Sequence, residues 1–143
     1  MDYLTLLEVS SKIRDIQSKM YKTVSKKYSI NYTALEIIVF LSNNPDKNTA
    51  KDICNLLNLK TSLVSFHIDK LVNDGFLTRD SIAGDRRRIG LKTTEKCISI
   101  AEYCNKVRKQ IYEGLTVNCS DEELNTLFVL ISKIKENTEK ITI

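Results

Sequence analysis

Between Thr49 and Thr94 the chain alternates in a way few folds accommodate: two short helical runs, then two strand-like runs around a turn that leads into three consecutive arginines. Thr49 and Asp52 have capping-box spacing, which starts the first helix and carries it to about Leu57. Asn58, Leu59 and Lys60 interrupt it, and a second helix is expected from Thr61 to Asn73. Gly75 stands where a left-handed residue would close that helix. Phe76–Arg79 and Ile89–Lys92 read as strands flanking the turn signal Ala83, Gly84, Asp85. Helix, turn, helix and basic hairpin together give a winged helix-turn-helix, for which double-stranded DNA is the first partner to consider.

Read at 100° per residue, the second helix has two unlike faces. Val64, Ile68 and Leu71 form the stripe that should face a core, with His67 and Val72 at its edges. The opposite face carries Ser62, Phe66 and Lys70, flanked by Leu63, Ser65 and Asp69. Apolar side chains placed outward have partners in a major groove, where thymine methyls are exposed, while Ser and Lys reach bases or phosphates. The competing reading packs Phe66 against a neighbouring loop. Arg86, Arg87 and Arg88 make a concentrated positive tip of a size that enters a minor groove, and Asp85 beside them could aim one guanidinium. A solvated charge run is the alternative there. The candidate DNA contacts are therefore Lys60, Thr61, Ser62, Ser65, Phe66, Lys70, Arg86, Arg87 and Arg88, with Asp85 orienting the wing.

This segment resembles the multiple-antibiotic-resistance regulator (MarR) family of bacterial transcription factors. Asp85 and Arg87 match its Asp-x-Arg wing motif, Thr94 its threonine seven residues on, and Asp69–Leu77 its recognition-helix exit through glycine. Thr93, Cys97 and Phe66 depart from the family's usual leucine, glycine and arginine. The resemblance implies a mainly α (α+β) fold in which long N- and C-terminal helices dimerise. Its order would be two helices, a short strand, two helices, two strands and two helices. It also implies a small aromatic or amphipathic effector bound between the dimer helices and the DNA-reading lobe, although no residue marks its type.

The flanking segments fit such a frame. From Tyr3 to Tyr28 one long helix is expected, with Leu6, Val9, Ile13, Ile16, Met20 and Val24 on a stripe. At 1.5 Å per residue it would be roughly 40 Å long, too long for a domain of 143 residues to cover. Part of that stripe should pack on a second copy. Thr33 and Glu36 have capping-box spacing ahead of an apolar run, Ala34 to Leu41, that should be central. Pro45 marks a turn, and a residue or two of strand is expected at Lys47 and Asn48. Thr94 opens a helix to about Val117 with a near-heptad seam, and a final helix begins at Ser120 with Glu123 completing its cap. The expected division is a DNA-binding lobe over 31–93 within a single 1–143 domain, with 1–30 and 94–143 forming a homodimer. Two such lobes would read an inverted repeat, half-sites roughly 34–36 Å apart. A dimer over a promoter would block polymerase sterically.

Composition narrows the alternatives. A net charge of +4 is modest, so clustering of the basic residues matters more than their total. No apolar run approaches the roughly 18 residues of a membrane span, and no signal-peptide pattern opens the chain, so a cytoplasmic, membrane-free protein is expected. Neither a glycine-rich phosphate loop nor a nucleophile elbow occurs, which argues against an enzyme, and no cofactor is implied. Cys54, Cys97, Cys104 and Cys119 lack metal-ligand spacing, so no metal site is expected. Two readings of the thiols stay open: small core hydrophobes, or a redox sensor at Cys119 or Cys97 as in some relatives. A winged helix used for protein contact without DNA is the third class, for which the arginine run would have no purpose.

Overall fold

The long N-terminal helix divides at Tyr21, giving α1 (Tyr3–Met20) and α2 (Lys22–Tyr28) in the computed structural model, which describes residues 2–82 and 85–141 and the side chains outside 82–88. Tyr21 keeps right-handed backbone angles, and its N–H still reaches the Gln17 carbonyl at 2.9 Å. The break falls where the phenol is pulled into the core. Its hydroxyl accepts hydrogen bonds from Gln17 Nε2 at 3.2 Å and Arg108 Nε at 3.1 Å. Ser29, in the left-handed region at φ 55°, ends α2.

α3 (Tyr32–Asn43) is the centre, with Ala34, Leu35 and Ile37 to Leu41 all buried, as the apolar run predicts. Its cap differs from the expected one. Asn31 accepts from the Ala34 N–H at 2.9 Å, which places Thr33 and Glu36 inside the helix. Glu36 is thereby free to turn sideways, where both its oxygens accept from Arg108 at 3.0 Å and one accepts from Gln17 at 2.9 Å.

After the turn at Pro45 come α4 (Ala50–Leu57) and α5 (Thr61–Asn73), then β1 (Leu77–Ile82) and β2 (Asp85–Thr93), paired antiparallel from Leu77↔Thr93 to Ser81↔Ile89. The strand expected at Lys47 and Asn48 does not form: the sheet among the described residues has two strands. A backbone bond from Leu91 N–H to the Asn48 carbonyl at 2.8 Å joins that segment to the hairpin. The turn after Pro45 leaves too little extended chain for a ladder. The strands also run further than their β-prone residues suggest, so that residues 85–88 lie in β2 rather than in a loop. Asp85 pairs with Ile82 across a shift of register after Ser81, so the ladder resumes beyond residues 86–88.

A short 3₁₀ turn (Glu95–Cys97) precedes α6 (Ile98–Leu115), so the helix expected from Thr94 begins later. The core seam of α6 holds Ile100, Ala101, Cys104 and Val107. α7 (Asp121–Thr138) opens with the expected Ser120–Glu123 capping box. The chain forms two compact units, residues 1–109 and 110–143. In the first, Leu4, Leu6, Leu7, Val9 and Ile16 of α1 are exposed. In the second, no residue of α7 is buried, and Phe128 is 73% exposed with Leu127, Leu130, Ile131 and Ile134 about half exposed.

Candidate nucleic-acid interface

Local chemistry fixes the two helices of the reading module. The Thr49 hydroxyl accepts from the Asp52 N–H at 3.2 Å while the Asp52 carboxylate accepts from the Thr49 N–H at 3.0 Å, the reciprocal cap that starts α4. Asn58 ends it in the left-handed region at φ 51°, a conformation that asparagine tolerates well. Lys60 then precedes α5 without giving it a side-chain cap. The N–H groups of the first turn and the positive end of the helix dipole therefore share one place with a lysine, an arrangement complementary to phosphate.

The two faces of α5 separate as its periodicity predicts. Val64, Ile68 and Leu71 are buried, and so is His67, which lies further in than the edge of the stripe. Thr61, Ser62, Leu63, Ser65, Phe66, Asp69 and Lys70 are exposed, as is Lys60 before them. Phe66 stands open rather than packed against a loop among the described residues. Its ring is 61% exposed and meets the His67 ring edge-on, with centroids 5.3 Å apart. The DNA-contact candidates of this helix thus lie together on one open surface.

At its far end α5 closes with Gly75 at φ 76°; Gly75 N–H reaches the Val72 carbonyl at 3.0 Å and Phe76 N–H the Leu71 carbonyl at 2.8 Å. This is the Schellman arrangement expected of a glycine there. The hairpin is then tied to the helix at several points. Thr94 donates from its hydroxyl to the Gly75 carbonyl at 2.8 Å and from its N–H to the Phe76 carbonyl at 3.0 Å. Lys96 Nζ reaches the Asp74 carbonyl at 3.2 Å. Arg79 of β1 pairs with Asp69 of α5, a contact that sequence reading missed because nothing local relates the two residues. Both partners are solvated, so the pair contributes less than about 1 kcal/mol and acts mainly by orientation. The side chains of Asp85, Arg86, Arg87 and Arg88, to which the sequence assigns the wing contact, lie outside the described residues.

His67 couples this helix to pH. It is 3% exposed, and its Nδ1 has no hydrogen-bond partner among the described residues. With Lys70 of α5, Asp74 just past its end, and Ser29 and Asn31 of the α2–α3 link, it lines a cavity of about 10 Å³. Burial, with a smaller contribution from the Lys70 charge, holds its pKa below the usual 6.5. The unfolded chain therefore binds the proton more readily, so stability is full above pH 6.5 and declines as pH falls through that value toward the folded pKa. In urea melts between pH 8 and pH 5.5, the wild-type midpoint should fall more than that of His67→Gln; parallel curves would refute this assignment.

The thiols divide by environment. Cys97 and Cys104 are buried, and burial pushes the Cys97 thiol up and the Cys104 thiol to about 11, which disfavours their thiolates. Cys97 Sγ donates to the Phe76 carbonyl at 3.1 Å and so acts at the root of the hairpin. Cys119 is exposed. No described helix is long and apolar enough to cross a membrane.

Known proteins share this fold. The sequence profile of the MarR family matches residues 28–88, from the end of α2 into β2. The HTH-type transcriptional regulator YwhA of Bacillus subtilis is 27% identical over 88 residues, a match spanning 62% of this chain and 63% of that one. A MarR protein from Peptoclostridium difficile superposes with a TM-score of 0.78 at 21% identity, covering 98% of this chain and 90% of its own. Staphylococcus aureus MepR, solved in complex with DNA, gives 0.77 at 19% identity over 96% of each chain. The two structural likenesses concern the fold; the profile match falls on the helices and hairpin whose geometry is described above. Residues 28–88 thus match the model of the MarR family, and the fold as a whole is similar to that of solved MarR proteins.

Proposed function

We propose that the protein is a homodimeric, signal-responsive repressor that binds an inverted-repeat operator through α5 and the hairpin. The observation that carries this reading is the outward face of α5, where Lys60, Ser62, Ser65, Phe66 and Lys70 stand exposed together beside a hairpin anchored to the same helix. In the proposed division, residues 31–93 read DNA, with Arg86, Arg87 and Arg88 in the minor groove and Asp85 aiming them. Residues 1–30 and 94–143 pair two copies. The exposed apolar side chains of α1 and those of α7 support pairing, since monomeric proteins rarely leave so much of this kind in water. MepR was solved on DNA, which makes the same partner the natural one for this fold.

The signal is proposed to be a small molecule. A cleft of about 320 Å³, lined by Arg14, Tyr32, Thr33, Glu36, Leu57 and Leu59 among others, joins α1 and α3 to the turn before α5. That volume lies at the lower end of ordinary ligand pockets. An occupant there would bear on the turn that aims the reading helix, and repression would be lifted by moving it. The cytoplasm is the proposed site of action.

Band-shift titration against DNA from upstream of the protein's own coding sequence tests the core of this reading. We expect salt-sensitive binding by two protomers to an inverted repeat, with a dissociation constant between about 10⁻⁸ and 10⁻¹¹ M. Absence of any salt-sensitive binding below about 10 μM, far weaker than specific sites of this kind, would overturn it.

A further inference from the structure

The reading face of α5 lacks the side chains that make bidentate contacts with purines. Arginine recognises guanine by a fork onto O6 and N7, and asparagine or glutamine recognises adenine through N6 and N7. Between Thr61 and Asn73 there is no arginine or glutamine, and the single asparagine is the last residue of the helix, away from the N-terminal part that meets base edges. Asp69, which could accept from cytosine, is already engaged by Arg79. Lys70 offers a point charge without a fork. The largest groups left on the open face are apolar: the Phe66 ring at 61% exposure and the Leu63 side chain at 40%. They are three residues apart, so they stand on the same side, roughly 4.5 Å apart along the axis. That is comparable with one base-pair step of about 3.4 Å. Phe66 is also oriented, because its edge-on contact is with a histidine held in the core.

We infer that this helix reads thymine, through apolar contact of Phe66 and Leu63 with the C5-methyl groups of adjacent base pairs in each half-site. Charge complementarity commits the apolar face to DNA over a protein partner: Lys60 and Lys70 are exposed on the same helix, and Lys51 is exposed on α4. Ser62 and Ser65 contribute hydrogen bonds that either kind of base pair can satisfy. Discrimination then comes from methyl burial. The inference rests on the DNA-binding reading above and adds the base class to it.

The test separates the two. The full-length protein selects its preferred duplex from a randomised pool, and each half-site thymine is then replaced in turn by deoxyuridine, which removes only the methyl. We expect one or two adjacent positions per half-site where the loss weakens wild-type binding by about 4-fold for each methyl. Phe66→Ala should bind more weakly, retain its salt dependence, and lose sensitivity at one of those positions. Tight binding that is indifferent to deoxyuridine everywhere overturns the inference while leaving DNA binding intact, as does a selected half-site without thymine. A Phe66→Ala protein as methyl-sensitive as wild type at every position has the same meaning. Failure to select any duplex overturns both. Because the deoxyuridine series alters only the DNA, it does not depend on the variant's folding.

Discussion

Glu36→Ala is expected to lower the unfolding free energy by about 2 kcal/mol, and adding Arg108→Met to that variant should restore much of the loss. Glu36 is the one charged residue on the buried stretch of α3, and its side chain retains 18% of its exposure. Its two oxygens accept from Arg108, which also donates to Tyr21, while Gln17 bridges Tyr21 and Glu36. α1, α3 and α6 thus meet on four polar side chains. Burial pushes the Tyr21 hydroxyl up, with the Glu36 charge acting in the same direction, so the phenol stays neutral. Removing the carboxylate leaves a partly desolvated guanidinium without its counter-charge, the costly kind of change. Arg108 is 35% exposed, so water compensates in part, which is why the figure lies below that for a fully buried pair. Denaturant midpoints of the two single variants and the double variant close the cycle. A Glu36→Ala protein within 0.5 kcal/mol of wild type, an ordinary surface effect, would show that the cluster holds nothing together.

Replacing Arg86, Arg87 and Arg88 together by alanine should abolish specific DNA binding while leaving the dimer mass unchanged. Six charges leave a dimer in this variant. If each meets a phosphate, the slope of log K against log salt falls by about 5, and affinity near physiological salt falls by roughly a thousand-fold or more. Titrations at several salt concentrations give the slope, and light scattering gives the mass. An unchanged slope would remove the hairpin from the interface. A loss of dimer mass would mean that these residues act on folding instead.

The parts of this fold that were legible in the sequence are those decided within a few residues. The Thr49–Asp52 and Ser120–Glu123 caps and the glycine exit at Gly75 each depend on bonds spanning five residues or fewer, and all form as expected. The faces of α5 follow from periodicity alone. What was not legible depends on partners remote in the chain. Tyr21 interrupts the first helix while engaging Arg108, 87 residues later, and Glu36 leaves its apparent cap for the same guanidinium. The extent of the hairpin was underestimated because residues 85–88 carry little β preference; Asp85 is nevertheless paired with Ile82, across a shift of register that leaves 86–88 between the paired positions. In the reading surface, the exposed side chains were foreseeable, whereas the Arg79–Asp69 tie and the full burial of His67 required knowing how β1 and the α2–α3 link lie against α5.

Arg79 grips the root of the hairpin from β1, and Thr94 and Lys96 grip it from the segment just beyond β2. Mechanically this makes β1 an arm with its pivot at the end of α5. From Leu77 to Ile82 the arm is about 17 Å long at the usual strand rise. A turn of only about 10° at the pivot sweeps its outer end through about 3 Å, close to the separation of neighbouring rungs in a duplex. Under the proposed mode of binding, a small twist of one helix is magnified into a misfit of a whole rung, with no need for the hairpin itself to bend.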